Sequence, residues 1–77
     1  MNKLRRTAIA DIQSQIESLR EDLENLKDEE QEYMDNMPEN LQSSSRYEAA
    51  EEAVSSLESA LDSLDEAISS MEDAISY

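Results

Sequence analysis

The sequence predicts an all-α fold: an antiparallel two-helix coiled-coil hairpin that dimerises into a four-helix bundle. Three observations predict it. Apolar residues recur at alternating spacings of three and four through both halves of the chain, the mark of a helix packed on another along a heptad seam. A single proline, Pro38, separates the halves, and glycine is absent throughout. A row of alanines and serines accompanies the seam of the second half.

The first helix is expected over about 3–36. Its seam reads Ile9, Ile12, Ile16, Leu19, Leu23, Leu26, Glu30, Tyr33 and Met37, with Glu30 the one polar member. Traced backwards it meets Arg5, so packing should begin near Ile9. Pro38 disfavours helical geometry at the residue before it and offers no N–H, which ends the helix. A connector over 37–44 follows. Ser45 with Glu48 three residues later has the form of a capping box, in which serine oxygen and glutamate carboxylate satisfy backbone donors reciprocally.

The second helix, about 46–76, carries the unbroken seam Tyr47, Ala50, Val54, Leu57, Leu61, Leu64, Ile68, Met71 and Ile75. A short connection sets the helices antiparallel. The expected layers place Tyr33 on Tyr47, Glu30 on Ala50, Leu26 on Val54, Leu23 on Leu57 and Leu19 on Leu61, with Ile16, Ile12 and Ile9 on Leu64, Ile68 and Met71. The flanks then match Arg6 with Glu72, Gln13 with Asp65, Arg20 with Glu58 and Lys27 with Glu51. A one-heptad slip preserves both patterns, so the loop length decides the register.

Along the other flank of the second helix run Ala49, Ala53, Ser56, Ala60, Ser63, Ala67, Ser70 and Ala74, none larger than serine. Helices approach closely where side chains are small, so this row is a candidate partner-binding seam. The opposing flank of the first helix, Ala8, Gln15, Asp22 and Glu29, is too polar to cover it. The bland alternative is an exposed helical face that drifted towards alanine and serine. A second copy would complete a four-helix bundle, and a foreign helix would also fit.

Composition removes most chemistry. Among 77 residues there is no cysteine, histidine or glycine, hence no thiolate or imidazole nucleophile, base or metal ligand and no glycine-rich phosphate loop. The acidic run Asp28, Glu29, Glu30, Glu32, Asp35 and the connector residues Asn36, Glu39 and Asn40 lack the glycine turn of a calcium loop. No cofactor, metal site or catalytic residue is expected. Glu30 has no second carboxylate to work with. Tyr33 and Tyr47 should stack beside the loop, where Met34, Met37 and Leu41 serve as a plug or a contact. No apolar run is long enough for a membrane span, and the chain is expected to be cytoplasmic.

Twenty acidic residues against six basic leave a net charge of −14. Asp11, Glu17, Glu21, Glu24, Asp28, Glu32, Asp35, Glu52, Asp62, Glu66 and Asp73 are the candidate contacts of this surface with a basic protein partner. Such a charge repels nucleic acid and anionic lipid. Along helices of about 45 Å at 1.5 Å per residue, the charge amounts to about one per 3 Å, close to the ~3.4 Å spacing along one DNA strand. Lys3, Arg5 and Arg6 should lie near Glu72 and Asp73, and make a poor nucleic-acid site in so acidic a chain.

The run Tyr33-Met34-Asp35-Asn36-Met37-Pro38-Glu39-Asn40-Leu41-Gln42, continuing through Arg46-Tyr47-Glu48-Ala49-Ala50-Glu51-Glu52-Ala53, resembles small acidic helical-hairpin proteins encoded by phages and conjugative elements of Gram-positive bacteria. The likeness covers most of the chain, and its distinctive part is the connector with the start of the second helix. The resemblance carries over no functional residue. It implies a setting in which small acidic proteins inhibit host defence nucleases, anti-CRISPR activity included. The expected function is a non-catalytic binding protein that blocks or regulates a basic protein surface. The alternative is a structural homodimer whose acidity serves only solubility.

Overall fold

The computed structural model describes every residue from Met1 to Tyr77. Helix α1 spans Lys3–Asp35 and helix α2 spans Ser45–Ile75, with one 3-10 turn, Glu39–Leu41, between them. The two helices pack antiparallel as a hairpin 59 × 15 × 13 Å in extent. Neither is long and apolar enough to cross a membrane.

Local chemistry explains where the helices begin and end. Asn2 caps α1, its Oδ1 accepting from the Arg5 N–H at 2.8 Å, one of the donors a helix start leaves free. Pro38 ends the helical path. Its carbonyl then accepts from the Leu41 N–H at 2.9 Å, and the Leu41 carbonyl accepts from the Ser44 N–H at 3.0 Å. Ser44 caps α2 through its Oγ, which accepts from the Tyr47 N–H at 3.3 Å. The expected capping box of Ser45 and Glu48 is therefore not formed. Ser44 holds the extended backbone a cap requires, while Ser45 is already inside the helix.

The register differs from the expected one by a full heptad. Arg20 pairs with Asp65 rather than Glu58, and Gln13 Nε2 donates to Glu72 rather than Asp65. Carried along the rod, this offset sets Leu23 level with Leu64, Glu30 with Leu57 and Met37 with Ala50. The connector accounts for the choice. It climbs past the end of α1, and Met34 and Met37 turn inward there, where Met34, Ala50 and Val54 are buried. A small residue at Ala50 leaves room at that level for bulky side chains such as Met37. Tyr33 and Tyr47 consequently do not form a closing layer, and Glu30 does not face Ala50. At the other end the first two turns of α1 overhang α2, and Met1 to Ala8 are all exposed.

Helix α1 is also rotated about its axis. Its half-buried and buried positions read Ile9, Gln13, Ile16, Arg20, Leu23, Lys27, Glu30, Met34 and Met37, with Glu24 and Gln31 half-buried at the edge of the ladder side. Ile12, Leu19, Leu26 and Tyr33, expected inside, face out. The physical reason is the acidic row of α2: Gln13, Arg20 and Lys27 lay their methylene stems across the partner helix while their heads reach carboxylates. Helix α2 keeps its expected seam, with Ala50, Val54 and Leu61 buried and Tyr47, Leu57, Leu64, Ile68, Met71 and Ile75 half-buried.

Candidate interaction surfaces

One side of the hairpin is a polar ladder. Arg20 Nε and Nη2 donate to the two carboxylate oxygens of Asp65, at 2.6 and 3.1 Å, and Nη1 pairs with Glu24. Such forked geometry is the stronger class of ion pair, and the bonds to Asp65 and then Glu24 raise the Arg20 guanidinium above its ordinary pKa. Lys27 pairs with Asp28 at 2.8 Å. That bond raises the lysine pKa, and Glu58 across the groove adds to it through space. Gln13 Nε2 bridges Glu17 and Glu72, at 3.2 and 3.1 Å, while its Oε1 is shielded from water and unpartnered. Arg6 does not meet Glu72 but donates to the Tyr77 carbonyl, because the offset register sets Glu72 level with Gln13, about 10 Å along the rod from Arg6.

The acidic candidates divide into two groups. Glu17, Glu24, Asp28 and Asp35 accept from neighbours on α1: Gln13, Arg20, Lys27 and Gln31. Asp11, Glu21, Glu32, Glu52, Asp62, Glu66 and Asp73 are exposed, and their carboxylates enter no ion pair or hydrogen bond. Glu52, Glu66 and Asp73 line the back of α2, away from α1, while Asp11 and Glu32 line the back of α1. Charge thus wraps the rod instead of converging. No three acidic side chains gather where they could hold a metal ion, and the only hollow is an open one along the first turns of α1, beside Lys3, Leu4, Thr7 and Ala8.

The side opposite the ladder is different in kind. Because α1 turns its Gln13, Arg20 and Lys27 row towards Glu58, Asp65 and Glu72, the residues displaced to the far side are Ile12, Leu19, Leu26 and Tyr33, which are 50, 65, 58 and 48% exposed. On the same side α2 presents Ala53, Ala60, Ala67 and Ala74, all exposed. By the observed register, Ile12 lies beside Ala74, Leu19 beside Ala67, Leu26 beside Ala60 and Tyr33 beside Ala53. Ala49, Ser56, Ser63 and Ser70 form the next row outward, also exposed. The large ridge was not foreseen; the signal for it was the row of long polar side chains on α1 opposite an acidic row on α2.

Compared with models of protein families, with curated proteins and with solved structures, the chain matches none.

Proposed function

We propose that the chain is a non-catalytic acidic binding protein that blocks or regulates a basic protein surface, in the manner of a nucleic-acid mimic. The observation that supports this reading is the unpaired carboxylates wrapped around a narrow rod. A net charge of −14 over 59 Å is about one per 4 Å, comparable with the ~3.4 Å spacing of phosphates along one strand. A channel that tracks a phosphate backbone recognises charge at that pitch without reading bases. The resemblance to hairpins of phages and conjugative elements narrows the proposal to an inhibitor of host defence nucleases, of the anti-CRISPR type, acting in the cytoplasm.

The test is competition. Labelled DNA bound to each of a panel of CRISPR effector nucleases would be titrated with the chain while anisotropy is followed. Displacement by the wild type is expected, weakening as salt rises. A variant carrying Glu52→Gln, Asp62→Asn, Glu66→Gln and Asp73→Asn should displace about tenfold less well, since each charge removed forgoes part of the electrostatic attraction. Displacement that ignores both salt and these substitutions would sink the reading. The alternative, a structural bundle whose acidity serves solubility, is favoured by the uncharged side and would leave every nuclease unaffected.

A further inference from the structure

We infer that the uncharged side of the hairpin receives a second copy of the chain, the ridge Ile12, Leu19, Leu26, Tyr33 of each copy entering the alanine row of the other. This goes beyond the acidic-surface reading and does not depend on it, since it uses a different side of the rod.

Two observations single out a second copy as the occupant. The first is area. The hairpin exposes 5751 Å², whereas a folded monomer of 8.7 kDa ordinarily exposes about 4,700 Å². The excess of about 1,000 Å² belongs to the whole elongated rod, 59 Å long, and is enough for one side of it to cover the ~800 Å² per partner of a standard interface. Four residues of 77 are buried, so the isolated hairpin has little core of its own, and the leucines left outside are what a four-helix core requires.

The second is self-complementarity. A twofold interface needs one surface that carries both halves of the match. Here a row of large side chains and a row of alanines lie side by side on one face, with the same seven-residue repeat and level with one another. Turning one copy about an axis that lies in that face, parallel to the rod, sets ridge against groove twice over. Asp22 and Glu29 lie at the α1 edge of the face and stay at the rim of such a bundle, in water, so the acidic backs of all four helices remain outside.

Sedimentation equilibrium over a wide concentration range at moderate salt tests this, with circular dichroism on every sample to separate dissociation from unfolding. The wild type should sediment at twice 8.7 kDa. A mass of one chain at all concentrations overturns the inference and leaves the face to another protein; masses that grow beyond two copies overturn the twofold match in favour of open stacking. Ala60→Leu with Ala67→Leu keeps the face apolar and the helix well formed but fills the groove. It should weaken the dimer about tenfold or more, and an equal or tighter dimer would mean general apolar adhesion instead. Leu19→Glu with Leu26→Glu, at positions already exposed in the hairpin, should give a helical single chain. A helical dimer from that variant would overturn the assignment of the ridge.

Discussion

Gln13 is the weak rung of the ladder. It stands where Arg20 and Lys27 stand one and two heptads later, and its amide nitrogen reaches the same kind of acceptors, Glu17 and Glu72. Its other end is a shielded carbonyl oxygen with no donor, and an unsatisfied polar atom away from water costs about 1–3 kcal/mol. Arginine at this position has donors only, a stem long enough to lie across α2 and two carboxylates waiting. Gln13→Arg should therefore raise unfolding stability by about 1 kcal/mol, read as a higher urea midpoint with an unchanged slope. An unchanged or lower midpoint would mean that water reaches the carbonyl and that the ladder ends at Arg20. The same residues show why a single name is a poor guide to burial. Gln13, Arg20 and Lys27 are polar by class, yet each carries a methylene stem that packs like an aliphatic side chain.

At the scale of the helices, the offset of one heptad has a direct test, because the chain contains no cysteine. A pair placed at Leu23 and Leu64 is level in the observed register, whereas a pair at Leu23 and Leu57 is separated by two further turns of α2, about 10 Å at 1.5 Å per residue. Disulfides do not form when the Cα atoms are more than about 7 Å apart. Leu23→Cys with Leu64→Cys should oxidise within one chain at high dilution, and Leu23→Cys with Leu57→Cys should stay reduced; the reverse result would restore the unslipped hairpin. The hairpin itself and the seam of α2 were legible in the sequence, because Tyr47 to Ile75 repeat without interruption and every flanking residue is acidic or small. The register was not, because charge and apolar pattern share the period of seven and a slip by seven maps each onto itself. The facing side of α1 was not legible for a related reason. Ile9, Ile16 and Leu23 belong equally to a seam completed by Ile12, Leu19 and Leu26 and to one completed by Gln13, Arg20 and Lys27. Two adjacent serines, Ser44 and Ser45, made the cap ambiguous in the same way, and backbone conformation decided it.

For the whole molecule the dominant fact is charge. Each helix runs against its own dipole at the open end, with Lys3, Arg5 and Arg6 in or next to the first turn of α1 and Glu72 and Asp73 near the last turn of α2. The one-heptad offset carries Lys3 and Arg5 past the end of α2, so the two ends do not neutralise each other, and only Arg6 reaches across, donating to the Tyr77 carbonyl. Over the whole chain 20 acidic residues stand against six basic ones, and the surplus repels itself in the compact state. Ion pairs of the ladder are exposed and contribute little each, about 0.2–1 kcal/mol, so screening removes more repulsion than attraction. Raising sodium chloride from about 0.01 M to 1 M, where the screening length falls from about 30 to 3 Å, should thus stabilise the hairpin. A gain of about 1 kcal/mol would appear as a melting temperature higher by about 4–8 °C. Self-association through the uncharged side should tighten over the same range, because two chains of like charge are being brought together. Binding to a basic surface should weaken over that range, because opposite charges are. A melting temperature that falls with salt would show that the ladder outweighs the surplus, and the acidic surface could then not be treated as free to engage a partner. Opposite salt responses of dimer and complex, measured on one protein, would assign the two sides of the rod to two separate tasks.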